Sequence, residues 1–394
     1  MKRRIAVFTG NRAEYGLQKP IIRALRDAPD VEYQLIASGA HLDPKFGMTL
    51  DLIKRDGFIV HAVPDIALQR DDLASTARAI GQGIIEMVNV YQALRPELVV
   101  VYADRFEGFA AIIAASQMNI PVAHVEGGDL TEGGALDDSV RHAMTKLSHL
   151  HFATNEDAKR RILALGEESW RVHNFGLPAL DMINAGEFAS REEIVAKFGL
   201  DLSRPVGVFT QHSVTTEFTD VDEQFAPSLR ALRRLAKEGG QFLLTFPNND
   251  AGGLKIIEQL ERLRKENVPG LQVHPSLGSY FYYGMLSLSR SDVQMVCVGN
   301  SSSGIKETPA FGCPTVNVGT RQLGRLRGEN VLDIDYDEEK IYQAIKRSWS
   351  DVAFRSRARA GQNPYGNGTA GVQIAKVLRE IPLDRRLINK KMMV

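Results

Sequence analysis

The run LVVVY at Leu98–Tyr102 is apolar or aromatic at every position, so both of its faces must be covered. A strand of that kind belongs in the middle of a parallel sheet with helices on either side, since a strand with one face in water would alternate apolar with polar residues. Helical patterns flank it, from about Leu73 to Leu94 before it and as FEGFAAIIAASQM after it. Strand and helix in that alternation indicate a parallel α/β sheet.

The same rhythm covers the chain. Ile5–Thr9 is a short apolar strand that gives way at Gly10 to the loop GNRAEYG and, from Leu17, to a helical pattern. Neither a dinucleotide fingerprint nor a phosphate-binding P-loop is present. YQLIAS, a helix from about Lys45 to Arg55, FIVHAV, PVAHVE, HLHFATN and a helix from Glu156 to Leu165 continue the series. Gly176 and Pro178 then break it, and Ser190 with Glu193 reads as a capping box that opens a connecting helix. A second series follows: GVFTQ, QFLLTFP, LQVH, VQMVCVGN and PTVNVG, each separated by a helical pattern. The fold expected is α/β, two Rossmann-like doubly wound domains facing each other across a cleft. The first occupies residues 1–180 and the second 200–365, with a helix at about 368–385 packing back on the first.

Charge restricts the partners. Lys and Arg number 48 and Asp and Glu 48, so no global field favours nucleic acid or an anionic membrane. No run approaches the roughly 18 apolar residues of a membrane span. Cys297 and Cys313, both in apolar surroundings, read as buried side chains of a protein from a reducing cytoplasm.

Two stretches carry chemistry. The first is His124–Phe152, HVEGGDLTEGGALDDSVRHAMTKLSHLHF, directly after a buried strand. Asp137 and Asp138 fall in the first turn of a helix, where carboxylates stabilise exposed N–H groups, and helix capping accounts for them as well as acid/base chemistry does. Asp137 with Arg141 and Asp138 with His142 stand four apart on shared faces. Capping leaves Glu126, Asp129 and Glu132 unexplained, because they sit in a glycine-rich loop at a strand end. Carboxylates crowded in a cleft repel one another, which raises at least one pKa toward a value useful for proton transfer. His124, His149 and His151 show H-x-E and H-x-H spacings, yet hydrogen-bonded structural roles are expected for them, and no metal or other cofactor is expected. Ligands of open α/β sheets bind at strand carboxyl ends, so Arg12, Asp104, Arg105 and Glu126 are expected to converge.

The second stretch is Gly299–Arg327, GNSSSGIKETPAFGCPTVNVGTRQLGRLR. Small residues between a buried strand and a helix present N–H groups and hydroxyls that suit a phosphate. Arg321, Arg325 and Arg327 supply local positive charge. Glu307 is either an acceptor for a ribose diol or a partner of the helix dipole. His212, in TQHSVTTEF, ends a strand of the same domain.

Taken together, GNRAEYG, ADRFEG, HVEGGDLTEGGALDDSVRH, TQHSVTTEF and GNSSSGIKETPAFGCPTVNVGTRQLGR resemble the hydrolysing UDP-N-acetylglucosamine 2-epimerases of sialic-acid and related nonulosonic-acid biosynthesis. The resemblance spans essentially the whole chain and implies a glycosyltransferase-B-type fold. It implies a UDP-sugar substrate, a homo-oligomer, and release of UDP and a free manno-configured sugar through a glycal. It places Ser302, Ser303, Glu307 and Arg321 at UDP, Arg12 and Arg105 near the phosphates and sugar, and His212 by the pyrophosphate. Asp104, Glu126 and Asp137 match catalytic acids; Glu132 and Arg141 are placed with the substrate-binding residues. The loop GGDLTEGGALDD also resembles the subgroup acting on UDP-2,4-diacetamido-2,4,6-trideoxyhexoses on the route to legionaminic-type acids.

Overall fold

The computed structural model of the chain describes residues 2–43, 49–66, 73–130, 135–214, 220–248 and 252–393, apart from the side chains of residues 73 and 135–137. It divides into two compact units, one running to Leu130, over Leu136–Asp181 and from Tyr365 onward, the other over Met182–Pro364. The first unit holds strands β1 (Arg3–Thr9), β2 (Val31–Ala37), β3 (Val60–Ala62), β4 (Leu98–Tyr102), β5 (Val122–Val125), β6 (Leu150–Ala153) and β7 (Val172–Asn174). All pair in parallel, in the spatial order β3-β2-β1-β4-β5-β6-β7. Its helices are α1 (Arg12–Arg26), α2 (Leu50–Arg55), α3 (Leu73–Leu94), α4 (Phe106–Gln117), α5 (Ala135–Leu147) and α6 (Glu156–Ala164). The order reverses between β1 and β4, which puts the switch point at their carboxyl ends.

Helices α7 (Ala179–Asn184) and α8 (Arg191–Phe198) lead into the second unit. Its sheet has β8 (Val206–Thr210), β9 (Gln241–Thr245), β10 (Leu271–His274), β11 (Met295–Gly299), β12 (Thr315–Val318) and β13 (Val331–Ile334), parallel in the order β10-β9-β8-β11-β12-β13. Its further helices are α9 (Val221–Lys237), α10 (Gly253–Glu266), α11 (Gly278–Ser287), α12 (Ser303–Lys306), α13 (Glu338–Ser350) and α14 (Val352–Ala360). The last two helices, α15 (Ala370–Glu380) and α16 (Arg385–Ile388), belong to the first unit again. Among the described residues no helix is long and apolar enough to cross a membrane.

Alternation along the strands divides the first core into two layers. Ile5, Val7, Leu98, Val100 and Tyr102 pack with Ile21, Ile22 and Leu25 of α1 and with Ile374 and Leu378 of α15. Ala6, Phe8, Val99 and Val101 point the other way, onto Met87 and Tyr91 of α3 and Ala111, Ile112 and Ala115 of α4. The continuous apolar run of β4 is thus covered on both faces. α15 begins where the Asp181 carboxylate accepts the N–H groups of Ala370 (2.9 Å) and Gly371 (2.8 Å). Ser190 and Glu193 form the expected capping box on α8, with bonds of 3.2 and 2.8 Å.

The helix expected from about Lys45 is described as α2 from Leu50, residues 44–48 lying outside the described residues. IKETPAF is not one helix: α12 is a single turn ending at Lys306, Glu307 caps it, and Thr308–Phe311 is a 3-10 turn. Pro309 has no N–H for an α-helical bond, which stops propagation there. The chain also adds β7 and β13, which are only three and four residues long and half-exposed, so no apolar run announces them.

Candidate active site

β1, β4 and β5 are neighbours, so the turns that follow them lie side by side. They carry Gly10–Arg12, Ala103–Arg105 and Glu126–Asp129. Two of these turns start at a residue with a side chain in the left-handed region, Ala103 (φ 56°) and Glu126 (φ 67°). Such backbone costs on the order of 1–3 kcal/mol per residue and persists only where its surroundings hold it. Here the parallel ladders extend past the strands: Ala103 N–H donates to the Val125 carbonyl and Glu126 N–H to that of Phe152, each at 2.9 Å. The Glu126 side chain is 6% exposed, and its carboxylate accepts a hydrogen bond from the Tyr102 hydroxyl.

Arg141 of α5, 1% exposed, organises the carboxylates around it. Its guanidinium pairs with Asp104, donates to Asp138 (2.6 Å) and donates to the Asp129 carbonyl (2.7 Å). Burial opposes its charge, but Asp104, Asp129, Asp138 and Glu126 outweigh burial and raise its pKa. Arg141, expected among the substrate-binding residues, thus lies buried as a counter-ion of Asp104 and Asp138. Asp138 also reaches Arg141 at a spacing of three. The Asp137 side chain and Glu132 lie outside the described residues. Gly128 (φ 72°) lets the loop settle on α6, since a Cβ there would sit 2.3 Å from the Ala158 carbonyl oxygen.

The histidines of this region take the structural roles expected. His124 donates from Nε2 to the Ala103 carbonyl (2.6 Å) and accepts at Nδ1 from the Thr145 hydroxyl (3.1 Å). That arrangement requires a neutral ring, and burial pushes its pKa down to about 3. His149 accepts the Val122 N–H (3.1 Å), and His151 bonds Glu167 (3.0 Å). Burial holds both near pKa 4. Among the described residues no group of three His, Cys, Asp or Glu side chains could hold a metal ion.

Arg12 opens α1 and is half-buried, which lowers its pKa. Arg105 lies over the Phe106 ring (5.6 Å) with its Nε 3.6 Å from Glu107. Glu107 and Glu14, both buried at the switch point, escaped the sequence reading. A glutamate in the first turn of a helix is ordinary capping chemistry, and only the strand order shows that these two helices start beside each other.

In the second unit, β8 and β11 are followed by Gln211–His212 and Asn300–Ser303. The Asn300 side chain clasps the His212 backbone, accepting its N–H (2.7 Å) and donating to its carbonyl (2.9 Å). His212 Nδ1 accepts the Asn248 N–H (3.0 Å), so a neutral ring carries its proton on Nε2. The Asn300 carbonyl accepts from Arg321 (3.2 Å) and Gln322 (2.8 Å), which ties the basic loop to the same turn. Ser302 directly precedes α12, and the Ser303 hydroxyl bonds Tyr282 at 2.5 Å. Glu307 is buried, and its charge, after burial itself, raises the pKa of Tyr283. Arg325 and Arg327 of the basic loop also bond within it. Arg325 donates to Gln322 (2.8 Å), and Arg327 pairs with Asp333 (2.8 Å) and donates to the Gln322 carbonyl (2.8 Å), so both close the loop on itself.

Residues 23–379 match the family described as UDP-N-acetylglucosamine 2-epimerase. The chain is 32% identical over 390 residues to the UDP-N,N'-diacetylbacillosamine 2-epimerase (hydrolyzing) of Legionella pneumophila, covering 99% of each chain. It is 33% identical over 337 residues to the GDP/UDP-N,N'-diacetylbacillosamine 2-epimerase (hydrolyzing) of Campylobacter jejuni, covering 86% of this chain and 85% of that one. In fold it resembles the crystal structure of the UDP-GlcNAc 2-epimerase of Neisseria meningitidis bound to UDP-GlcNAc, with a TM-score of 0.77, 19% identity, and coverage of 95% and 99%. Its two parallel-sheet α/β units are those of a glycosyltransferase-B-like fold. The chain belongs to the UDP-N-acetylglucosamine 2-epimerase family.

Proposed function

We propose that the protein is a hydrolysing 2-epimerase that converts a UDP-linked 2-acetamido sugar and water into UDP and the free manno-configured sugar. The observation that carries this reading is the pair of fixed carboxylates at neighbouring strand ends, Glu126 against Tyr102 and Asp104 against buried Arg141. Elimination removes the C2 hydrogen as a proton while the C1–O bond to UDP breaks, leaving a 2-acetamidoglucal. Water then adds its oxygen to C1, and a proton returns to C2 from the opposite face. Two proton-transfer groups are needed, and Glu126 and Asp137 are assigned to them. Asp104 supports the oxocarbenium-like charge at C1.

The departing diphosphate falls to His212, Arg12, Arg105 and Arg321, and the rest of UDP to Ser302, Ser303 and Glu307. The Nε2 proton of His212 is the donor a developing phosphate charge requires. Arg141 acts as a positioning residue for Asp104 and Asp138, while Asp129 and Glu132 read the sugar. A homo-oligomer is the assembly expected. Hydrolysis rather than return of a UDP-linked epimer is favoured by the names of the two relatives that align over most of their length. Those names also favour a second reading of the substrate, UDP-2,4-diacetamido-2,4,6-trideoxyglucose in place of UDP-N-acetylglucosamine. Incubation with UDP- and GDP-linked forms of both sugars and no acceptor tests the proposal. Release of the nucleoside diphosphate with a free manno sugar supports it and names the substrate; a UDP-linked epimer, or no turnover of any of them, rejects it.

A further inference from the structure

Two carboxyl groups at the first switch point have no part in the chemistry above. Glu14 is the third residue of α1 and Glu107 the second of α4, and these helices leave β1 and β4 on opposite faces of the sheet. Both are buried, Glu107 completely. Glu14 Oε2 accepts the Gly10 N–H at 2.8 Å. Glu107 lies against the same glycine: a Cβ on Gly10 would be 3.1 Å from the Glu107 Cβ and 3.3 Å from its carboxyl carbon. At Gly39 (φ 58°), which follows β2, a Cβ would be 2.8 Å from both Glu107 Oε1 and the Gly10 carbonyl oxygen. The ends of β1 and β2 therefore close over Glu107 with no space for a side chain, while Glu107 Oε2 faces Arg105 at 3.6 Å.

We propose that Glu14 and Glu107 are positioning residues that hold the Gly10 turn, from which Arg12 projects, and the Arg105 side chain in one arrangement, and so set affinity for the nucleotide sugar. This rests on the reading of Arg12 and Arg105 as phosphate and sugar ligands. The groups that act on the pair are the Gly10 N–H and, in the β4–α4 turn, Asp104 and Arg105; His41, after β2, lies near Gly39 in sequence. His41 is neutral at physiological pH, its pKa lowered to about 4 by burial. Burial and the Glu107 charge push Glu14 up to about 8, against the Gly10 hydrogen bond and Arg105, with Asp104 adding to the rise. At neutral pH Glu14 keeps its proton, while Glu107 stays against Arg105. Above about pH 8 the proton leaves, and the second charge loosens the arrangement.

Glu14→Gln retains an acceptor for the Gly10 N–H but has no proton to lose, and Glu107→Gln removes the charge facing Arg105. Difference infrared spectra at pH 7 are expected to show a protonated carboxyl band in the wild type that is lost in Glu14→Gln, a measurement that needs no turnover. UDP titrations are expected to give a wild-type Kd that rises about fivefold from pH 7 to pH 9, and a Glu14→Gln Kd that stays flat. Glu107→Gln should weaken UDP about tenfold at pH 7 and raise KM more than it lowers kcat. No protonated carboxyl in the wild type, or the same pH dependence of UDP affinity in wild type and Glu14→Gln, overturns the proposal. Unchanged affinity in Glu107→Gln also overturns it. Failure of the proposed function appears separately, as wild-type protein that turns over no sugar nucleotide.

Discussion

Glu126 stands at the end of a four-residue strand because the β5–β6 ladder carries one hydrogen bond past that strand and the backbone then turns left-handed. Replacing it with Gln keeps its size and an acceptor for the Tyr102 hydroxyl but removes the carboxylate proposed for proton transfer. Glu126→Gln is expected to lower kcat by about two to four orders of magnitude with UDP affinity unchanged by calorimetry; full turnover would remove Glu126 from proton transfer. Arg141 makes a different prediction. Arg141→Ala leaves Asp104 and Asp138 partly buried without their counter-ion, at a cost of about 2–3 kcal/mol after allowance for their exposure, measurable by urea denaturation. The placement of Asp104, Arg105 and Glu126 at neighbouring strand ends was legible in the sequence because each follows a buried strand. The role of Arg141 was not, since its partner Asp104 is 37 residues away.

Among the elements, the parallel strands carry an unusual load of neutral histidine. His41 follows β2, His124 lies in β5, and His149 and His151 lie beside and within β6. Burial depresses all four, to about 4, 3, 4 and 4. An unfolded chain takes up protons at these rings near pH 6.5, while the folded one refuses them until about pH 4. Their contribution is therefore complete above pH 6.5 and is lost as pH falls toward 4, by up to about 1.4 kcal/mol per pH unit for each ring. Glu14 works in the opposite direction, disfavouring the fold as pH rises from about 4.5 to 8. Urea midpoints should accordingly drop steeply between pH 6.5 and 4, and Glu14→Gln should gain stability relative to wild type between pH 5 and 8. The strands themselves were readable because central parallel strands are apolar on both faces. The break at Glu307 was not, because IKETPAF has helical periodicity and only the backbone shows where Pro309 ends it.

For the molecule as a whole, the chain leaves the first unit at Asp181 and rejoins it at Tyr365. The returning segment is integral to that unit: Ile374, Leu378 and Leu387 lie in its core, and the buried Arg171 guanidinium donates to the carbonyls of Arg386 and Leu387, each at 2.7 Å. Lys390 reaches Glu167 at 2.7 Å. Deleting residues 385–394 removes Leu387 from the core, the two carbonyl acceptors from Arg171 and the Lys390 partner from Glu167, and should destabilise the protein by several kcal/mol, read as a lower Tm by calorimetry. Two doubly wound units follow from the βα rhythm of the sequence, whereas the identity of the sugar does not, because the stretch GGDLTEGGALDD has a composition that suits more than one substrate. The central claim is elimination followed by hydration, and one measurement addresses it directly: turnover of the UDP-linked substrate in D₂O followed by proton NMR. Deuterium at C2 of a released manno-configured sugar, formed together with UDP, is the predicted result; a released sugar that keeps its C2 proton would contradict the account.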